Sequence, residues 1–86
     1  MAYFVYLLEC RDHSFYCGYT KDIKKRLINH GKGIGSKYTR ARRPVNLIYQ
    51  EELPTLSAAL KREHAIKQFS RKQKEELVKQ NSYPNF

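Results

Sequence analysis

Cysteine is too scarce here for a secreted disulfide framework: Cys10 and Cys17 are the only two, and their spacing fits neither a CxxC pair nor a zinc site. Reduced thiols borne on strands are the expectation. No apolar run reaches the roughly 20 residues of a membrane span, and the opening MAYFVYLLEC lacks the basic start and cleavage site of a signal peptide. A cytoplasmic protein with no membrane partner is therefore expected. Gly31, Gly33 and Gly35 do not follow a strand and open a helix, which removes the dinucleotide fingerprint and the P-loop. His13, His30 and His64 show no HExxH or comparable zinc spacing, and no nucleophile elbow is present. Repeats, low-complexity segments and linkers are also missing, so 86 residues make one domain with one modest core.

Acidic residues are few as well, eight against seventeen Lys and Arg, for a net charge of +9. The imbalance is concentrated. Between residues 21 and 43 nine cations face Asp22 alone, a local charge of +8. A polyanion, and nucleic acid in particular, is the partner such a segment predicts.

Residues 3 to 10, YFVYLLEC, are apolar or aromatic on both parities apart from Glu9, the pattern of a strand covered on both faces. RDHS supplies a turn and FYCGYT a second strand. Asp22 can cap a helix that turns Ile23 and Leu27 inward and ends at HGKG, with Gly31 as its left-handed cap. A basic, Gly-rich loop (32 to 44) leads past Pro44 to a third strand, VNLIYQEEL. Thr55 caps a second helix, and Ser70 a third that packs through Leu77 and Val78. The order ββαβαα predicts an α+β domain, a small three-stranded antiparallel sheet flanked by helices, with 81 to 86 as a flexible tail.

On the second helix, Leu56, Ala59, Leu60 and Ile66 form an apolar stripe with Glu63 near its middle. A carboxylate facing a core is costly unless it is paired or coordinates a metal. Arg26 and His30, four residues apart, project from one face of the first helix. Tyr3, Tyr6, Tyr16, Tyr19 and Tyr49 crowd the sheet. A three-residue loop, Asp12-His13-Ser14, would pair Cys10 with Tyr16 and put Tyr6 and Tyr16 on one side; a two-residue loop would separate them.

FVY at 4 to 6, YCG at 16 to 18, RLINH with its Arg and His four apart, and a glutamate in a later helix together resemble the GIY-YIG nuclease superfamily, with Phe4 in place of the first glycine. The stretch GKGIGSKYTRARRPVNLIY is most similar to the small stand-alone bacterial branch, itself similar to the catalytic subunit of structure-specific endonucleases. The resemblance covers nearly the whole chain. It implies that Tyr6 and Tyr16 are the motif tyrosines, Arg26 the phosphate-binding arginine, His30 an accessory polar residue and Glu63 the ligand of one Mg²⁺ or Mn²⁺. A buried ion pair between Glu63 and Arg26 is the alternative to the metal. Tyr6 is the candidate base, with Arg26 and the metal together favouring its phenolate. Lys32, Lys37, Arg40, Arg42 and Arg43 would neutralise phosphates, and Tyr38 would stack on a base or sit beside the active site. The expected activity is hydrolysis of DNA, with RNA also open and with a targeting protein as a possible partner. A non-catalytic nucleic-acid-binding module on the same fold is the rival.

Overall fold

The strand that is apolar on both parities takes the middle of the sheet. In the computed structural model, which describes residues 2–80, β1 (Tyr3–Glu9) lies between β2 (Phe15–Thr20) and β3 (Asn46–Leu53), both antiparallel to it. Val5, Tyr6, Leu7 and Leu8 are all buried, because each face carries its own cover. The α+β architecture agrees with the sequence reading.

The β1–β2 loop has three residues, as the one-sided arrangement of Tyr6 and Tyr16 requires, but they are Arg11, Asp12 and His13. Cys10 N–H donates to the Ser14 carbonyl at 2.9 Å, so Tyr16 stands opposite Leu8 and not Cys10. Two features fix the shift. His13 accepts the left-handed conformation (φ 66°) that the turn needs, and Asp12 Oδ1 accepts from both the Ser14 backbone and its hydroxyl, drawing Ser14 into the pairing. A displacement of two preserves parity, so both tyrosines keep their face.

Helix α1 (Ile23–Lys32) begins at Asp22, which accepts from Lys25 N–H, and runs through the expected stop at Gly31 to Gly33 (φ 83°). Gly33 N–H bonds to the His30 carbonyl and Ile34 N–H to that of Asn29. This termination favours an apolar residue directly after the left-handed glycine; Ile34 follows Gly33, whereas Lys32 follows Gly31. A further helix, α2 (Lys37–Arg40), capped by Ser36, interrupts the predicted loop. Four residues are too few to leave a periodic signal.

Helix α3 (Leu56–Lys67) starts at the Thr55 cap. Its apolar stripe is turned relative to the expectation. Ala59 and Ile66 are fully buried among Val5, Leu7, Cys17 and Tyr49, while Leu56 and Leu60 remain 42% and 41% exposed. Glu51 of β3 holds the helix at this rotation, accepting from Arg62 Nε with one oxygen and from the Tyr49 hydroxyl, 2.7 Å away, with the other. Burial and the adjacent carboxylate push the Tyr49 phenol up to about 12. Glu51→Ala strands a buried hydroxyl and a guanidinium, so urea unfolding is expected to show a loss of about 1–3 kcal/mol.

Ser70 and Gln73 cap α4 (Arg71–Gln80) reciprocally, and Leu77 and Val78 pack on the core as expected. Arg71 stacks on Phe15 at 3.8 Å and donates to the His13 carbonyl, tying α4 to the hairpin. The tail assigned to 81–86 lies outside the described residues. Both cysteines are free and buried. Among the described residues no helix is long and apolar enough to cross a membrane.

Candidate active site

Strand alternation puts Tyr6, Tyr16 and Gly18 on the face covered by α1 and α2, opposite the face that carries Val5, Leu7 and Cys17 under α3. The two tyrosine rings lie 6.4 Å apart. Gly18 pairs with Tyr6, and a Cβ there would come within 2.6 Å of the phenol oxygen. The bare backbone of Gly18 is thus what lets the Tyr6 ring lie across β2.

His30 is 0% exposed and stands between two hydroxyls, 2.9 Å from Tyr6 Oη through Nε2 and 2.8 Å from Thr39 Oγ1 through Nδ1. Gly35 leaves room for the ring, since a Cβ there would collide with it. Thr39 continues to Ser36, so a hydrogen-bonded chain runs from the cleft through α1 into α2. Burial first, and the Arg26 charge second, hold the imidazole below its usual value and keep it neutral at pH 7. A neutral ring has one donor and one acceptor nitrogen, so Tyr6 can donate to Nε2 while Nδ1–H donates to Thr39.

Desolvation, with a smaller contribution from Tyr16, raises the Tyr6 phenol well above the ordinary tyrosine value, and the opposing pull of Arg26 does not compensate. The resting side chain is a phenol. The cations of the protein alone do not produce the expected phenolate.

An open cleft of about 580 Å³ at the β2 edge gathers Tyr6, Tyr16, Arg26 and Glu63 from four elements. His30 is not on its surface; it supports Tyr6 from behind. Glu63 is only 15% exposed and faces Lys67 Nζ at 3.5 Å, one turn further along α3. Among the described residues no ion pair joins it to Arg26, and no three His, Cys, Asp or Glu side chains converge as a closed metal cage. One hard oxygen donor on the wall of a cleft open to water suits Mg²⁺ or Mn²⁺, which retain water and phosphate ligands when the protein offers a single carboxylate.

Lys32, Lys37 and Arg40 are exposed around α2. Tyr38 stacks on Tyr16 at 6.0 Å and carries the Arg42 guanidinium on its ring at 3.9 Å. Arg42 also bonds to Asp12 and the Tyr38 carbonyl, and Arg43 to the carbonyls of Arg40 and Gly31, so these two arginines brace the segment besides adding charge. Sequence reasoning missed Lys21, Lys25 and Asn29 in the cleft lining, together with Tyr3, Tyr19 and Leu56. Asn29 was accessible to it, three residues from Arg26 on the same helical face. Tyr19 was not, because its parity assigns it to the other face and only its place near the sheet edge brings it to the cleft.

A family model described as the GIY-YIG catalytic domain matches residues 2–76. The chain is 54% identical over 76 residues to a UPF0213 protein of Staphylococcus saprophyticus, spanning 88% of this chain and 93% of that one. The solution structure of a UPF0213 protein from Bacillus halodurans is similar to it at a TM-score of 0.64 with 41% identity, covering 99% of this chain and 90% of the other. That of the protein EF2693 from E. faecalis is similar at 0.65 with 44% identity, covering 93% and 85%.

Proposed function

This chain belongs to the GIY-YIG family, and on that premise we propose that it is a metal-dependent endonuclease that hydrolyses phosphodiester bonds in DNA, directed by substrate structure with low sequence specificity. Nucleases of this family act on DNA and generally depend on divalent metals. The observation that carries the reading is the convergence of two phenols, a guanidinium and a carboxylate on one cleft.

Glu63 would hold a single Mg²⁺ or Mn²⁺, which when bound supplies Lewis-acid stabilisation of the departing 3′ oxygen. Arg26 binds a non-bridging phosphate oxygen through its fork and opposes the charge that grows there. Tyr6 removes the proton of the attacking water while passing its own proton to His30 Nε2, so the proton ends on the imidazole and no free phenolate is needed. The P–O bond to water forms as the bond to the leaving oxygen breaks. Tyr16, beside Tyr6, orients water or phosphate. Lys32, Lys37, Arg40, Arg42 and Arg43 add phosphate contacts, and shape and backbone reading suffice for a domain this small.

Labelled flap, nicked and branched duplexes incubated with Mg²⁺ or Mn²⁺ test the proposal. Cut products are expected, together with a log–log salt slope for binding near −5, the value for roughly six phosphate contacts on duplex DNA. Binding without products would leave the non-catalytic module as the correct reading.

A further inference from the structure

Beside its reacting groups the cleft has two chemically different kinds of lining, of which only Arg26 enters the mechanism above. Lys21, Lys25, Arg26 and Asn29 supply cations and an amide from the turn before α1 and from α1 itself. Tyr3, Tyr19 and Leu56, from the two strands and the first turn of α3, supply aromatic and apolar surface. Tyr19 stands opposite Val5, which is fully buried, yet is itself 36% exposed, and Leu56 is 42% exposed. An isolated exposed tyrosine or leucine on a small domain is ordinary. Several around one cleft, continuous with a cationic flank and the acid of α3, call for an occupant that is both anionic and flat.

We infer that Tyr3, Tyr19 and Leu56 receive an unpaired nucleobase beside the phosphate held at Arg26, so that the preferred substrate is a nucleic-acid strand with single-stranded character at the cut. The inference rests on the phosphodiesterase reading for the phosphate position and adds the class of substrate. In a duplex the base faces are stacked against one another and only their edges reach the grooves, where a leucine and the faces of two aromatic rings find no flat surface to pack on. A splayed base exposes its face, which an aromatic side chain beside a cationic track accepts whatever the sequence. A second copy of this chain is a poor occupant, since each copy carries +9.

Fluorescence anisotropy with EDTA present separates this inference from turnover. The probes are a labelled 12-nucleotide deoxy strand, its ribo counterpart, a blunt duplex of the same sequence and a strand of base-free spacers. Tighter binding of either strand than of the duplex, by about tenfold, is expected, with base-free spacers weaker by a similar factor. Tyr19→Ala is expected to lose about tenfold for the strand with the salt slope unchanged, and Tyr19→Phe to retain it. Preference for the duplex, or equal binding of base-free and normal strands, overturns the inference even if the variant fails to fold. Strand binding without cleavage in Mg²⁺ would remove the nuclease reading and leave the base site standing; cleavage indifferent to Tyr19→Ala would do the reverse.

Discussion

Glu63→Gln is expected to lower metal-dependent cleavage by ~10³-fold or more while the protein stays folded. The size follows from the several kcal/mol that Lewis-acid stabilisation contributes to a phosphoryl transition state, at 1.36 kcal/mol for each factor of ten. The folded state has little at stake in the carboxylate. Its ion-pair partner is Lys67, half exposed one turn away, and helical pairs of that kind contribute about 0.3–0.5 kcal/mol. Glutamine keeps the side-chain volume against the cleft wall and removes the charge that a divalent cation needs. Single-turnover cleavage in Mg²⁺ and Mn²⁺, with thermal melts and Mn²⁺ titration followed by electron paramagnetic resonance, reads the three parts separately. A variant that melts normally, no longer binds Mn²⁺ and no longer cuts is the expected outcome. Full activity in that variant would eliminate Glu63 as the metal ligand.

The sequence indicated this glutamate for a reason that survives even though part of its argument did not. The predicted stripe gave equal weight to four apolar residues, and the helix buries only Ala59 and Ile66. Periodicity places residues around an axis, but it does not say which edge of a broad apolar arc meets the sheet. That choice is made by the Arg62–Glu51–Tyr49 contacts, which join the helix to the strand before it and leave no mark in the periodicity of the helix itself. Glu63 lies between the alternatives, so it borders the core under either rotation.

The hairpin is comparable. Loop parity, which decides whether Tyr6 and Tyr16 share a face, was legible, whereas the choice of three residues depended on Asp12 bonding to Ser14 and on His13 accepting a left-handed backbone. The buried Tyr6–His30–Thr39 chain was not legible at all. Periodicity placed His30 on the face of Arg26, but nothing local reveals that Gly35 makes room for the ring or that a four-residue helix brings Thr39 to its far side.

That chain makes Tyr6→Phe the other variant with a large expected effect, a fall in kcat of about 10²–10⁴, the usual contribution of positioned proton transfer. Binding of uncut DNA in EDTA is expected to change little, because only one oxygen is removed. The pH dependence identifies where the proton goes. Tyr6 is held far above the ordinary tyrosine value, so its ionisation produces no limb in the neutral range. His30 is held below its ordinary 6.5 by burial and by Arg26. Cleavage is therefore expected to be level from pH 7 upward through neutrality and to fall as the pH drops through the depressed His30 value, where imidazolium can no longer accept the Tyr6 proton. Stability follows the same sign. The unfolded chain takes up the His30 proton near pH 6.5 and the folded one only at lower pH, so the contribution of neutral His30 is complete above 6.5 and is lost on acidification toward the folded value. His30→Gln keeps a group able to bond to Tyr6 but cannot titrate. It is expected to slow the reaction and to remove the acid limb of the rate profile. A purely structural histidine would alter the rate without altering the profile, and a limb that persists in His30→Gln would place the proton acceptor elsewhere in the cleft.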